Sequence, residues 1–167
     1  MKSVEDFLAH AVALEEDSAL RFDELADALD VHNNAEVTEI FRKMAHYSRL
    51  HLREARDLAE GRTLPHIRPW EFEWPDAEAP ETPMVDGTHY LMTPHHALKL
   101  ALDSEIRGRD FYQGVADKTE NPRIRDLALE FAGEESEHVA LLDEMLTRYP
   151  RPEADWDEDM DPPVVVD

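Results

Sequence analysis

The chain has 167 residues, of which 39 are Asp or Glu and 17 are Lys or Arg, so its formal net charge is −22. Nucleic acids and anionic membranes are bound through basic contacts, and this charge argues against both as partners. The absence of Cys excludes disulfides, thiolate nucleophiles, zinc fingers and iron–sulfur clusters. No apolar run approaches the roughly 20 residues of a membrane span, and the acidic start MKSVEDFLAH lacks the features of a signal peptide, so we expect a cytoplasmic protein.

Four helices are predicted from the positions of Pro and from apolar periodicity. In chain order they cover about 4–30, 34–60, 94–118 and 122–148. Their starts carry residues that commonly cap helix N-termini, namely Ser3, Asn33 and Asn34, Thr93 before Pro94, and Asn121 before Pro122. Asn33 stands three residues before Glu36 in capping-box spacing, and Gly61 lies where the second helix should end.

Short turns join the first two helices and the last two, which predicts two antiparallel hairpins. The Pro-rich residues 61–93 between them are long enough to run the height of a bundle. We therefore predict an all-α four-helix bundle over residues 1–149, with one long crossover. The aromatic residues of the crossover favour packing on the bundle over a disordered linker; they are Trp70, Phe72, Trp74 and Tyr90. Residues 150–167 are strongly acidic and are predicted to form a flexible tail.

A polar layer interrupts the apolar stripe of every predicted helix near its middle. Glu15, Glu105 and Glu135 fall in this layer, where buried carboxylates need a compensating charge. No Lys or Arg lies on the stripes at that height, so we expect a metal cation to supply it. His51 lies in the same layer, and His138 follows Glu135 at i+3 on the same helix face. These five residues are the predicted metal ligands.

Several other interpretations of this layer stay open. Ser18 and Gly108 lie about one turn beyond Glu15 and Glu105, and we interpret their small size as room for the two imidazoles. A polar core layer without metal is the alternative, as is a register in which Glu16 replaces Glu15 or Glu54 adds a carboxylate. Three further histidines are expected at the surface: His46, His95 and His96.

The helices also carry motifs of a known family. The segments 132–138 (AGEESEH) and 13–16 (ALEE), together with Glu105 and the later Tyr112, resemble the ferritin-like di-iron carboxylate proteins, specifically the rubrerythrin-like branch. The resemblance covers roughly residues 4–148 without the crossover. It implies a non-haem iron centre, with two ions expected, one possible and Zn or Mn as alternatives. The implied activity is reaction with peroxide or oxygen, as a peroxidase or ferroxidase, in oxidative-stress defence or iron handling.

One motif departs from this family. Segment 45–51 (AHYSRLH) places Ser48 where the family has a bridging Glu, so the three remaining acids supply −3 against +4 from two ferrous ions. Hydroxide or an exogenous carboxylate would restore the balance, or only one metal binds. Tyr112 is the predicted catalytic residue, placed to hydrogen-bond a ligand carboxylate or an oxygen species; a core aromatic whose hydroxyl is simply satisfied is the alternative.

Two further expectations follow from the resemblance. Without Cys there is no rubredoxin module, so electrons must come from an external donor. Self-association of ferritin-like relatives leads us to expect a homo-oligomer, most simply a dimer. Two competing hypotheses remain: a bundle that binds one metal without redox turnover, favoured by Ser48, and an acidic structural bundle without metal.

Overall fold

The computed structural model describes residues 1–76, 78–81 and 92–151. Its helices are α1 (Val4–Asp30), α2 (Ala35–Leu58), a short 3-10 helix (Pro69–Glu71), α3 (Pro94–Lys118) and α4 (Pro122–Arg148). The first pair, α1 and α2, packs as one hairpin and α3 and α4 as the other, with further contact between α2 and α3. The predicted all-α four-helix bundle is confirmed. Among the described helices, none is long and apolar enough to cross a membrane.

Side-chain caps fix the predicted starts of three helices. Ser3 Oγ accepts a hydrogen bond from the amide three residues later at 3.0 Å, and the Thr93 side chain does the same at the start of α3. Asn121 Oδ1 accepts from the amides of Arg123 at 2.9 Å and Ile124 at 3.4 Å. These bonds satisfy amides that have no partner within the helix, which explains why α3 and α4 begin where the sequence predicts.

The predicted capping box at the start of α2 is wrong. Asn33 has a φ of 57°, a left-handed conformation that Asn tolerates better than most residues, and the cap residue is Asn34. The Asn34 side chain makes no cap bond; its Nδ2 donates to the carbonyl oxygen of Met92 at 2.6 Å. Asn34 therefore ties the start of α2 to the end of the crossover.

The cap of α4 is expected to contribute measurably to stability. Replacing Asn121 by Ala removes the acceptor for two amides, and we expect a loss of about 1 kcal/mol in the free energy of unfolding. Urea denaturation followed by circular dichroism measures it. Glu130→Ala is the matched control, because Glu130 is exposed on the same helix; equal losses in the two variants would contradict a capping role for Asn121.

Two apolar clusters fill the bundle, one on each side of the polar layer. One is centred on Phe22, Phe41 and Leu98, and the other on Phe7 and Phe131. Every helix contributes to both clusters and passes from one to the other near its middle. Burial of these side chains is the main favourable term in folding, so the clusters hold the intervening layer at a fixed height.

The crossover packs on the bundle through a buried histidine. His10 on α1 donates from Nδ1 to the carbonyl oxygen of Asp6 at 2.8 Å, and its Nε2 accepts from the amide of Glu73 at 3.0 Å. The rings of Phe72 and Trp74 lie 5.1 and 5.2 Å from the His10 ring. The predicted packing therefore holds for two of the aromatics.

The prediction that the crossover aromatics pack on the bundle is wrong for Trp70. Trp70 is exposed, against the expectation that it packs on the bundle. It stacks instead beneath the Arg68 guanidinium, at 5.2 Å from the ring centre. Tyr90 and residues 152–167 of the acidic tail lie outside the described residues.

Candidate metal centre

The three predicted acids lie in the layer between the two apolar clusters. Glu15, Glu105 and Glu135 are each only 1–2% exposed, although each carries a carboxyl group. Their positions follow from helix geometry, since each occupies a stripe position that faces the bundle axis. His51 and His138 are slightly more exposed and close the layer on the side of α2 and α4. The structure thus brings all five sequence-predicted residues together.

The imidazoles contact the acids directly. His51 Nδ1 lies 2.9 Å from Glu135 Oε1 and 3.6 Å from Glu15 Oε1. His138 Nδ1 lies 3.2 Å from Glu105 Oε2 and 3.6 Å from Glu135 Oε2. The two rings stack with centres 4.8 Å apart. Glu135 is therefore the acid that both histidines share.

A fourth buried carboxylate joins the layer from outside the helices. Glu81 of the crossover is 1% exposed and lies with Glu15 and Glu135. Glu81 is not predictable from helical periodicity, because a crossover residue belongs to no helical stripe. The only signal was Gly108, the residue in α3 that makes space for it.

The small residues Ser18 and Gly108 do not make room for the imidazoles, contrary to the prediction. A Cβ at position 108 would overlap Oε1 and Cγ of Glu81 and lie 2.7 Å from its Cδ, so the space at Gly108 is filled by Glu81. Ser18 Oγ lies 2.9 Å from Ser48 Oγ, and Ser48 donates to the carbonyl oxygen of Met44 at 3.3 Å. The small residues therefore accommodate a carboxylate and a pair of hydroxyls, not the imidazoles.

Burial and mutual repulsion shift the pKa values of these acids. Burial raises the pKa of Glu15 to about 7, and burial and the nearby Glu135 charge raise the pKa values of Glu81 and Glu105 well above the usual range. Burial also acts on Glu135, but its close contacts with the His138 and His51 imidazoles outweigh burial and hold the pKa of Glu135 well below the usual range. Glu135 therefore carries the most stable negative charge of the layer.

The imidazoles respond in the opposite direction. Burial disfavours the protonated form of His51, but its interactions with Glu135 and Glu15 outweigh burial and raise its pKa to about 11. The same balance, with Glu105 and Glu135 as partners, raises the pKa of His138 to about 9. Without a metal, protons on the imidazoles compensate part of the acidic charge.

The described residues do not donate a hydrogen bond to every buried carboxylate oxygen of this layer. Four buried carboxylate oxygens accept none: Glu15 Oε2, Glu81 Oε1 and both oxygens of Glu135. A buried carboxylate oxygen without a donor is costly, and a divalent cation relieves that cost through charge and coordination. Carboxylate and imidazole donors without sulfur suit iron, manganese or zinc. The residues present therefore fit a divalent metal.

In the described parts of the chain, the possible ligand atoms form two overlapping groups. His51, Glu135 and His138 form one, and Glu15, Glu81 and Glu135 form the other; within each group the atoms lie within 4.8 Å of one another. Glu105 adjoins the first group through its contact with His138. Two groups that share one carboxylate are the arrangement expected for two neighbouring cations with a common ligand.

Tyr112 contacts this layer from the apolar cluster that contains Phe7 and Phe131. Its ring is fully buried in the cluster around Phe7 and Phe131, and its hydroxyl donates to Glu15 Oε1 at 3.2 Å. The bond fixes one oxygen of Glu15, while the other has no donor within the part of the chain that the structure describes. The structure thus places the predicted catalytic tyrosine against a candidate metal ligand.

The alternative ligands considered from the sequence lie outside both groups. Glu16 forms an exposed ion pair with Arg56, and His46 is exposed. Glu54 is half-buried and belongs to neither ligand group. His95 donates from Nδ1 to the carbonyl oxygen of Tyr149 at 2.8 Å, away from the layer. The register with Glu15 facing the interior is therefore the one that the structure adopts.

Known proteins share both the sequence pattern and the architecture of this chain. The Rubrerythrin family profile matches residues 6–90 and 96–161 of the sequence. The chain is similar to an uncharacterised conserved protein from Magnetospirillum magnetotacticum MS-1 with a known crystal structure. The two sequences are 41% identical, and the structures match with a TM-score of 0.72 over 92% of this chain and 99% of that one. No curated protein matches. The matched segments cover all but the first two residues of α1 and α3, all of α2 and α4, and both ligand groups, and the chain belongs to the rubrerythrin family.

Proposed function

We propose that this protein is a di-iron carboxylate oxidoreductase that reacts with peroxide or oxygen, in oxidative-stress defence or iron handling. Membership of the rubrerythrin family implies a di-iron centre. The observation that supports the proposal best is the pair of buried ligand groups that share Glu135. An ion-binding layer of this kind, enclosed by two apolar clusters, restricts the access of water to the metal.

The residues of the layer would have two roles, metal binding and orientation of a ligand. Glu15, Glu81, Glu105 and Glu135, with His51 and His138, would hold the metal, and Tyr112 would orient Glu15 through its hydrogen bond. Reduction of one hydrogen peroxide to two waters takes two electrons and two protons; two bound ferrous ions would supply the electrons and solvent the protons. Without any Cys in the chain, an external donor must return those electrons.

Ser48 favours a second candidate, a bundle that binds one metal without redox turnover. Its hydroxyl is hydrogen-bonded to the Ser18 hydroxyl and to the Met44 carbonyl oxygen. Because a hydroxyl is neutral, Ser48 gives the layer no negative charge. In this case the ligand group with both imidazoles would bind the single ion.

Iron titration separates these candidates. Protein loaded with Fe²⁺ under anoxic conditions should contain two irons per chain and consume one peroxide per chain, with new ferric absorption in the near ultraviolet. Zinc-loaded protein is the control, because Zn²⁺ has no redox chemistry and should leave the peroxide unchanged. One colourless ion per chain that does not respond to peroxide would contradict the proposal and support the single-metal bundle.

A further inference from the structure

Among the described residues of the crossover, Glu81 is the one that contributes a carboxylate to the layer, and the structure holds its backbone against α3. Ser104 Oγ donates to the carbonyl oxygen of Glu81, and Arg107 Nε donates to that of Pro80 at 2.9 Å. Ser104 is itself fully buried. Residues 80 and 81 are therefore fastened to the helix on both sides of the position from which the carboxyl group enters the bundle.

The Glu81 side chain enters at Gly108. Any side chain at position 108 would overlap Glu81, whereas a Cβ added at Gly114, six residues later on α3, would have no neighbouring atom within 4 Å. Neither glycine has a positive φ, so backbone conformation does not require glycine at either position. At position 108 the requirement is space for the carboxyl group.

Charge explains why a carboxylate would be buried there. With Ser48 in place of an acid, the helices supply three carboxylates, or −3 when ionised. Glu81 raises the sum to −4, which equals in magnitude the +4 of two divalent cations. Its Oε1 accepts no hydrogen bond from the described residues, and a carboxylate oxygen of Glu81 lies with Glu15 and Glu135 in one ligand group.

We propose that Glu81 of the crossover is a metal ligand and that it supplies the carboxylate missing at Ser48. Gly108 leaves the space that the Glu81 side chain occupies. The inference rests on the proposed metal-binding function. The metal centre is then completed by a segment outside the four helices, and the second divalent ion depends on that segment being docked on α3.

Metal binding by two variants and one control tests this inference. Glu81→Gln keeps the side-chain shape and removes the charge. Gly108→Ala displaces the same carboxyl group from α3 and leaves Glu81 in the sequence. Gly114→Ala is the matched control, since it makes the same substitution on the same helix with no neighbour to displace. Isothermal titration calorimetry with Mn²⁺ alone, under buffer conditions identical for all four proteins, gives the number of ions and their affinities.

We expect wild-type protein and Gly114→Ala to bind two Mn²⁺ ions per chain. Glu81→Gln and Gly108→Ala should each bind the second ion at least about tenfold more weakly or lose it. The metal-induced rise in Tm should shrink in the same two variants, and circular dichroism of all metal-free proteins should show equal helix content.

Two results would overturn the inference in distinguishable ways. If wild-type protein binds two ions and both variants bind them with wild-type affinity, Glu81 is not a ligand, and the proposed function stands. If wild-type protein binds no divalent ion, the proposed function fails and the inference fails with it.

Discussion

Replacing Glu135 by Gln should remove both metal ions, the largest effect that we expect of any single substitution in the layer. Glu135 belongs to both ligand groups, and neither of its oxygens accepts a hydrogen bond from the described residues. An amide keeps the shape of the side chain but replaces one ligand oxygen with an NH₂ donor and removes the negative charge. Because hydrogen-bond partners of metal ligands are already worth about 10–100-fold in affinity, we expect a loss of more than about 100-fold for this shared ligand.

Elemental analysis after equilibrium dialysis measures the effect. Glu130→Gln is the matched control, because Glu130 is exposed on the same helix and belongs to neither ligand group. The control should retain two ions per chain. Two tightly bound ions in Glu135→Gln would show that the metal, if bound, lies elsewhere in the protein.

Removing the metal should destabilise the wild-type protein strongly. A ligand that binds only the folded state at 100 times its Kd stabilises it by about 2.7 kcal/mol. For a protein of this size, one kcal/mol corresponds to roughly 2–4 °C in Tm, so chelation should lower Tm by roughly 5–10 °C. The physical origin of this loss is that removal leaves four buried acids without a cation.

Differential scanning calorimetry with and without EDTA measures this shift. Glu135→Gln provides the control, since a variant that binds no metal should have the same Tm in both conditions. An unchanged Tm in the wild-type protein would favour an acidic structural bundle without metal.

The helices were predictable because their determinants are local. Pro94 and Pro122 follow capping residues at the starts of α3 and α4, and the predicted bounds of both helices agree with the structure. The start of α2 was less predictable, because two adjacent asparagines both satisfy the capping pattern. Only the contact of Asn34 with Met92, which is 58 residues away in the sequence, decides between them.

The helical part of the candidate site was also predictable. A Glu on an otherwise apolar stripe faces the interior whatever its partners are, so periodicity alone places Glu15, Glu105 and Glu135 in one layer. The i, i+3 spacing of Glu135 and His138 likewise fixes their common face.

Glu81 could not be predicted in the same way. The crossover has no repeating pattern that relates sequence position to direction, so nothing local distinguishes Glu81 from the exposed acids near it. The feature that matches Glu81 is Gly108 on α3, whose lack of a side chain leaves space. From the sequence, we predicted that an imidazole would fill this space. Which group fills a space between elements depends on the tertiary structure, and sequence periodicity does not report it.

A crystal structure of the iron-loaded protein, with anomalous scattering measured at the iron edge, would locate the metal itself. We predict two peaks in the layer between the apolar clusters, both in contact with Glu135, one beside His51 and His138 and the other beside Glu15 and Glu81. No peak in that layer, or peaks only on exposed acids, would contradict a metal centre at this position.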